Sequence, residues 1–168
     1  MLTAVTALIS IISIPMPSAV PLSLQCFAVA LCGYFAGSVM GTASVITYIA
    51  IGVVGLPVFA GFKGGFAVLL GPTGGFITGF IPLCLLCGGF GIAVGKKKYR
   101  HIIKISMGLI GLILCHLCGI LFFSYIMKTD FAAAFITSSA PYLIKDIACI
   151  VAGYFVSEML KRTIGTAK

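Results

Sequence analysis

The sequence predicts an all-α integral membrane protein with six transmembrane helices and both termini in the cytoplasm. Composition, a succession of apolar stretches and the distribution of positive charge support this prediction. Of the 168 residues, 61% are hydrophobic and 8% are charged, and the mean hydropathy is +1.24. Because each membrane-crossing helix requires roughly 20 apolar residues, a chain of this length has no room for a soluble domain. We therefore expect residues 1–168 to form a single transmembrane domain.

Apolar stretches bounded by Pro, Gly or charged residues predict the individual helices. They cover residues 2–14, 22–36, 41–56, 74–95, 102–127 and 142–160. The first stretch is short, but it lacks a basic segment and an A-x-A cleavage site before Pro15, so we interpret it as a retained helix and not as a signal peptide.

One further apolar segment, residues 131–140, precedes the last predicted helix. Ser138, Ser139 and Pro141 separate it from that helix, which indicates an interfacial or re-entrant segment. Pro141 suits the first turn of the helix that follows. The backbone N–H groups of a first turn have no partner within the helix, so the N–H that proline lacks is not missed there.

Positive charge is concentrated in two places, although the formal net charge of the whole chain is +8. The first cluster consists of Lys96, Lys97, Lys98, Arg100 and Lys104, and the second of Lys161, Arg162 and Lys168. By the positive-inside rule both are cytoplasmic, so the loops at 15–21, 57–73 and 128–140 face outward. We interpret the basic loop as a topology signal that contacts lipid headgroups, with docking of a partner protein as the alternative. This distribution does not favour nucleic-acid binding.

Two glycine-rich segments interrupt the apolar sequence on the predicted outer side. Residues 61–65 read Gly-Phe-Lys-Gly-Gly, and residues 71–75 read Gly-Pro-Thr-Gly-Gly. Non-helical backbone at membrane depth is tolerated only where it is buried in protein or lines a cavity. We therefore expect the region that contains these two segments to contact a ligand.

Lys145 and Asp146 lie close to the start of the last predicted helix. Pro141 places Asp146 about five residues into that helix, or roughly 7 Å along its axis. A charge inserted there costs about 2.5–3.5 kcal/mol, which favours a paired or functional role over an interfacial one in which both side chains reach the outer surface. Adjacent residues of a helix point about 100° apart, so we expect each to find a partner elsewhere. Lys128 and Asp130 are expected to be solvated.

The cysteines and His116 suggest a metal site only superficially. The pairs Cys84/Cys87 and Cys115/Cys118 lie in apolar helical stretches, where cysteine is a small packing residue. For His116 we favour a hydrogen bond between helices, with a proton relay as the alternative. The chain also lacks a Walker A motif, so any active transport takes its energy from an ion gradient or a partner protein.

Four motifs together resemble the BioY family, the biotin-specific S components of energy-coupling factor (ECF) vitamin transporters. They are PMPSAVPLSLQ at 15–25, GVVGLPVFAG at 52–61, the Gly64-Gly65 pair and LLGPTGGF at 69–76. The resemblance implies six transmembrane helices and external loops folded over a biotin pocket near the outer face. It also implies a shared module of two ATPase subunits and a transmembrane coupling protein, no chemistry on the substrate and no cofactor.

The resemblance also implies individual site residues. Gln25 matches the family's glutamine of the first loop, the 71–75 loop matches fully, and Asp146 matches an acidic residue that follows a proline in the last helix. Ile77 stands where some relatives have an arginine, and Cys149 where many have a lysine. We hypothesise that Lys63 and Lys145 take over these positive charges, with a solvated Lys63 and an interfacial Lys145 as the alternatives.

Biotin carries a carboxylate that requires a cation, a ureido ring that requires donors and acceptors, and a thiophane ring that requires apolar walls. Backbone N–H groups of residues 71–75 are expected to add contacts in a nest-like turn. The predicted substrate-binding residues are Gln25, Lys63, Gly71, Thr73, Gly74, Gly75, Phe76, Tyr142, Lys145 and Asp146. In this family small residues of the first helix contact the coupling protein, and the corresponding residues here are Thr3, Ala4 and Ala7, for which intramolecular packing is the alternative.

The sequence thus predicts a biotin-binding subunit of the bacterial plasma membrane that delivers biotin inward when docked to the ATP-driven module. The alternatives are an S component or stand-alone carrier for another small vitamin, a membrane-embedded redox or metal enzyme that uses His116 and the paired cysteines, and a purely structural membrane subunit.

Overall fold

The computed structural model describes residues 1–16, 20–89 and 99–165, and these are mostly helical. The helices are α1 (Leu2–Ile11), α2 (Gln25–Val54), α3 (Phe66–Leu70), α4 (Gly74–Cys87), α5 (Arg100–Met127), α6 (Phe131–Ser138) and α7 (Ala140–Gly165). Two short strands, β1 (Ser13–Ile14) and β2 (Leu22–Ser23), pair antiparallel. The helical prediction is therefore confirmed apart from this strand pair. Lys96, Lys97, Lys98 and Lys168 lie outside the described residues.

Helix α2 reverses its direction at Gly37, where the backbone is not helical (φ 84°, ψ 176°). Gln25 near its start donates a hydrogen bond to the Tyr48 hydroxyl over 3.0 Å. In a straight helix these two residues would be about 34 Å apart. The halves therefore lie antiparallel, and the reversal falls between the predicted stretches 22–36 and 41–56.

The first half of α2 ends at a cluster of charged residues from α5 and α7. Lys161 donates to the Tyr34 carbonyl oxygen over 2.6 Å, and this carbonyl belongs to the last turn before the reversal. A lysine at such a position satisfies a carbonyl that has no partner within its own helix. Glu158 lies 3.8 Å from Lys161, three residues further along the same helix, and 4.0 Å from Lys104.

Within the described residues, α2 and α5 are long and apolar enough to cross a membrane. Helices α1 and α4 are apolar but have only 10 and 14 residues. The first predicted span, 2–14, is longer than α1 because Ser13 and Ile14 leave the helix to pair with β2. The stretch predicted over 74–95 is helical to Cys87, and residues 90–95 lie outside the described part of the chain.

Small residues let α4 lie very close to α5. A Cβ atom at Gly79 would lie 2.9 Å from the Cα of Cys115, and one at Gly75 would overlap the Cys118 carbonyl oxygen. The thiols of Cys84, Cys87 and Cys115 are buried in this packing, as predicted, whereas Cys118 is exposed. The same close approach brings the middle of α5 to the first turns of α4.

The segments predicted to connect the membrane spans also contain helices. Helix α3 lies within the predicted 57–73 loop, and α6 occupies most of the 131–140 segment. The chain departs from helical geometry at Ser139, at the predicted break, and Pro141 lies in the first turn of α7 as predicted. A second apolar cluster, made of Val20, Ile120, Phe123, Ala134 and Tyr142, holds α6 and the start of α7 against α5.

Replacing Gly37 by alanine is expected to lower the free energy of unfolding by about 1–3 kcal/mol, because its φ and ψ are essentially restricted to glycine. Thermal unfolding of the detergent-purified variant measures this loss. The matched control is Gly153→Ala in α7, where an added Cβ would have its nearest neighbour at 3.4 Å. Equal stability of the two variants would contradict a strained reversal at Gly37.

Candidate functional site

A cavity lies where β2 and the first turns of α2, α4 and α7 meet the middle of α5. It is lined by Val20, Pro21, Ser23, Gln25, Cys26, Thr73, Phe76, Ile77, Phe80, His116, Ser138, Tyr142, Lys145 and Asp146. Its walls are largely apolar, and polar side chains enter from several elements. This is the composition expected of a small-molecule site.

The buried carboxylate of Asp146 dominates one side of this cavity. Asp146 is 3% exposed, and its Oδ1 lies 2.6 Å from the Lys145 ammonium nitrogen. The expectation that these neighbours would not satisfy each other is therefore wrong, because the flexible four-carbon stem of lysine can bring its ammonium back to the adjacent carboxylate. Each also has a partner elsewhere, since Lys145 donates to the Ser23 carbonyl oxygen over 2.6 Å and Asp146 meets His116.

His116 connects α5 to the break between α6 and α7. Its Nε2 lies 3.3 Å from Asp146 Oδ2, and its Nδ1 is hydrogen-bonded to the Ser139 hydroxyl. Phe76 of α4 meets the imidazole edge to face, with ring centroids 5.8 Å apart. The predicted hydrogen bond between helices is therefore confirmed, and the histidine also lines the cavity.

Gln25 lies on the opposite side of the cavity and is held by hydrogen bonds at both ends of its amide. Ser23 donates to Oε1 and Nε2 donates to the Tyr48 hydroxyl, each over 3.0 Å. Tyr48 in turn donates to the Val58 carbonyl oxygen over 3.2 Å. Gln25 is thereby connected to the segment that begins near Val58 and precedes α3.

The Tyr142 hydroxyl donates to the Val20 carbonyl oxygen, which holds the first turn of α7 against the segment before β2. Thr73 and Phe76 reach the cavity from the 71–75 loop and α4. The structure thus brings together six of the ten predicted residues in one cavity: Gln25, Thr73, Phe76, Tyr142, Lys145 and Asp146.

Lys63 lines a second, adjoining cavity and not the first. Pro21, Gln25, Thr73 and Ile77 line both cavities, so the two are neighbours across these side chains. Lys63 closes a tight turn in which the Phe59 N–H donates to the Lys63 carbonyl oxygen over 2.9 Å. Its side chain is exposed.

The glycines of the 71–75 loop serve mainly the packing. A Cβ at Gly74 would overlap the Leu69 carbonyl oxygen, and Gly75 packs against α5. The N–H groups of Gly71 and Gly74 already bond to the carbonyl oxygens of Val68 and Gly71. These two N–H groups are therefore not available to the predicted nest, although Gly71 itself lines a further pocket with Lys63 and Thr73.

Comparison with known proteins assigns the chain to a family, because the BioY family model matches residues 1–166. The chain belongs to the BioY family. The resemblance drawn from its loop motifs is thus confirmed.

Two curated relatives extend this BioY assignment over nearly the whole chain. The probable biotin transporter BioY of Pyrococcus horikoshii is 36% identical over 160 residues, covering 95% of this chain and 90% of the relative. The biotin transporter BioY of Thermotoga maritima is also 36% identical over 160 residues, covering 94% and 91%.

A solved structure shares the fold. The crystal structure of the S component for biotin from an ECF-type ABC transporter superimposes with a TM-score of 0.83 at 24% identity. The match covers 96% of this chain and 87% of that one. At this identity the likeness concerns the fold alone. Together with the family assignment and the long apolar helices, it identifies a membrane protein of the BioY fold.

Several cavity residues of this BioY protein were not predicted as ligand contacts: Val20, Pro21, Ser23, Cys26, Ile77, Phe80, His116 and Ser138. Most are apolar or small and carry no signal in the sequence that separates them from packing residues. His116 was noticed, but its neighbours Ser139 and Asp146 are 23 and 30 residues away in sequence, and only the packing of α5 on α7 brings them together.

The residues predicted to contact a partner lie on α1. Thr3 donates to the Ser44 carbonyl oxygen over 3.3 Å, so its hydroxyl is used within the chain, and Ala7 packs against the core. Ala4 is exposed.

Replacing Asp146 by alanine is expected to lower the free energy of unfolding by about 3 kcal/mol, because Lys145 and His116 lose the acceptor that they share. Thermal unfolding in detergent measures the change. Asp130→Ala, which removes an exposed carboxylate, is the matched control and is expected to leave stability almost unchanged. A stable Asp146→Ala protein would refute the view that this carboxylate organises the site.

Proposed function

We propose that this chain is the biotin-binding S component of an ECF transporter in the plasma membrane of a bacterium. The observation that carries the proposal is the cavity, in which the buried Asp146 carboxylate with its half-buried partner Lys145, an oriented Gln25 amide and apolar walls face one another. Biotin needs each of these, because it combines a polar ureido ring, an apolar thiophane ring and a carboxylate. The relatives named as biotin transporters support the choice of ligand.

In the proposed topology six helices span the membrane: α1, the two halves of α2, α4, α5 and α7. Both termini lie in the cytoplasm, because Lys161 and Arg162 end the last span. Asp146 is 15 residues before Lys161 on the same helix, which corresponds to about 23 Å. That separation supports a ligand site close to the outer face, where biotin enters.

The ligand contacts that we propose are Gln25, Lys63, Gly71, Thr73, Phe76, Tyr142, Lys145 and Asp146, with Gly74 and Gly75 acting through the packing of the loop. The Lys63 ammonium receives the biotin carboxylate at the second cavity. The polar groups of the first cavity receive the ureido ring. Thr73 and Gln25 line both cavities and therefore lie beside the ligand along its length.

Inward delivery requires a partner in this proposal. The partners are a transmembrane coupling protein and two ATPase subunits, and Ala4, with Thr3 and Ala7 beside it, contributes to the surface that contacts the coupling protein. The absence of a Walker A motif from the chain supports an external source of energy. No cofactor takes part in this scheme, because the substrate is moved and not changed.

Isothermal titration of the detergent-purified chain with biotin tests the proposed ligand. We expect stoichiometric binding with a dissociation constant in the nanomolar to low-micromolar range, roughly −8 to −12 kcal/mol. Thiamine and riboflavin serve as controls and are expected to give no heat of binding. Binding of either control in place of biotin would assign the chain to another vitamin, and silence with all three from monodisperse protein would refute a capture function.

The two lysines are tested by alanine variants titrated with biotin and with biotin methyl ester, which lacks the charged carboxylate. Lys63→Ala is expected to weaken biotin about tenfold and to leave the ester unchanged, because only biotin presents an anion to the ammonium. Lys145→Ala is expected to weaken both ligands, because it removes the partner of Asp146.

The control for these lysines is Lys128→Ala, another exposed lysine, which lines none of the cavities described above. It is expected to bind both ligands like the wild type. If Lys63→Ala and Lys145→Ala both retain wild-type affinity for biotin, the assignment of positive charge to these residues is wrong.

A further inference from the structure

We propose that His116 is a positioning residue that holds the Asp146 carboxylate in the orientation in which the cavity receives its ligand. This inference rests on the proposed function, since it assigns a role within the same cavity. His116 comes from α5, Asp146 from α7 and Ser139 from the break between α6 and α7, so the three are independent in sequence and meet only in the folded chain.

All three side chains are removed from solvent. His116 is 5% exposed, Asp146 is 3% exposed and Ser139 is fully buried. Buried polar groups that fail to find partners are costly, and an ordered network among them favours one arrangement over others. Phe76 restricts the imidazole further through its edge-to-face contact. The ring is therefore held by α4, by the α6–α7 break and by α7 at once.

The chemistry of the three groups defines the direction of the hydrogen bonds. An aspartate paired with a lysine can only accept, so the proposed arrangement places the hydrogen of a neutral imidazole on the His116 Nε2, which lies 3.3 Å from Oδ2. In this proposed tautomer Nδ1 is an acceptor, so the Ser139 hydroxyl that is hydrogen-bonded to it acts as the donor. Ser139 thereby supports the tautomer of His116 in which Nε2 faces Asp146 with a hydrogen, because its hydroxyl is able to donate to Nδ1.

The contacts with Lys145 and His116 hold the carboxylate from two sides. Lys145 meets Oδ1 and His116 meets Oδ2, so rotation of the carboxylate would break one contact or the other. Each oxygen retains further acceptor capacity for an N–H group of a ligand. A site whose polar groups are already oriented loses less entropy on binding, so the positioning of Asp146 contributes directly to affinity.

The role predicts a specific order of affinities for biotin. His116→Leu keeps an apolar side chain but removes the donor, and it is expected to weaken binding about 10- to 100-fold. His116→Gln places an amide N–H near the position of Nε2 and is expected to recover most of that loss. If His116 only filled space, His116→Leu would bind biotin more tightly than His116→Gln, and that order would contradict the positioning role.

The other histidine of the chain supplies a matched control. His101 lies on the same helix and is hydrogen-bonded to the Tyr154 hydroxyl over 2.6 Å, but it does not line the cavity. His101→Leu is expected to bind biotin within about twofold of the wild type, because loss of a hydrogen bond outside the site leaves the bound and free states equally affected. A similar loss in both histidine variants would indicate a general defect and overturn the proposal.

Coupling to Asp146 is measured without a ligand, by melting temperatures in a double-mutant cycle of His116→Leu and Asp146→Asn. The decrease caused by His116→Leu is expected to disappear largely when Asp146 is already replaced. An equal decrease in both backgrounds would overturn the proposal, whether or not the wild type binds biotin. Failure of the wild type to bind biotin, with coupling intact, would refute the proposed function and leave the positioning role standing.

Ser139→Ala keeps the test decisive if His116→Leu does not fold. It removes the hydroxyl that is hydrogen-bonded to Nδ1 while His116 and Asp146 remain. We expect biotin to bind about two- to tenfold more weakly, the effect of one neutral hydrogen bond. Ser157→Ala is the matched control, because the Ser157 hydroxyl is also buried, donates to the Tyr154 carbonyl oxygen over 3.0 Å and does not line the cavity. Unchanged affinity in Ser139→Ala would overturn the proposed chain of donors.

Discussion

The arrangement of the site depends on one constraint, the burial of the Asp146 carboxylate within an apolar protein. A charge in such surroundings persists only if it is paired and hydrogen-bonded. Here the pair comes from Lys145 on the same helix and the further contact from His116 on α5. Since Lys145 also bonds to the Ser23 carbonyl oxygen, the pair joins α7 to the strand that precedes α2. The carboxylate thus determines how three separate segments meet.

A second set of hydrogen bonds connects the cavity to the 57–65 segment. Gln25, Tyr48 and the Val58 carbonyl oxygen form a continuous path from the start of α2 to the beginning of the 57–65 segment. This path exists because α2 reverses at Gly37 and returns Tyr48 to the level of Gln25. A conformational change in the loop would therefore act on a side chain that lines both cavities.

Much of the fold was predictable because apolar length and charge distribution are local properties of the chain. The division of residues 22–56 into two stretches anticipated the reversal in α2, and the Ser139–Pro141 region anticipated the break before α7. Two details were not predicted, one because it depends on pairing between residues far apart in the sequence and the other because a short helix lies within a predicted loop. The first helix ends at Ile11 because Ser13 and Ile14 pair with β2, and α3 forms inside a segment that composition alone represents as a loop.

The sequence by itself determined the membrane class, the family and the identity of the charged and hydrogen-bonding residues close to the glycine-rich segments. It could do so because composition and short motifs need no knowledge of the packing. Only the tertiary structure decided which of those groups share a cavity. It separated Lys63 from the Asp146 side and assigned Gly74 and Gly75 to packing. It also placed His116 between Ser139 and Asp146, because that meeting depends on how closely α5 lies against α4 and α7.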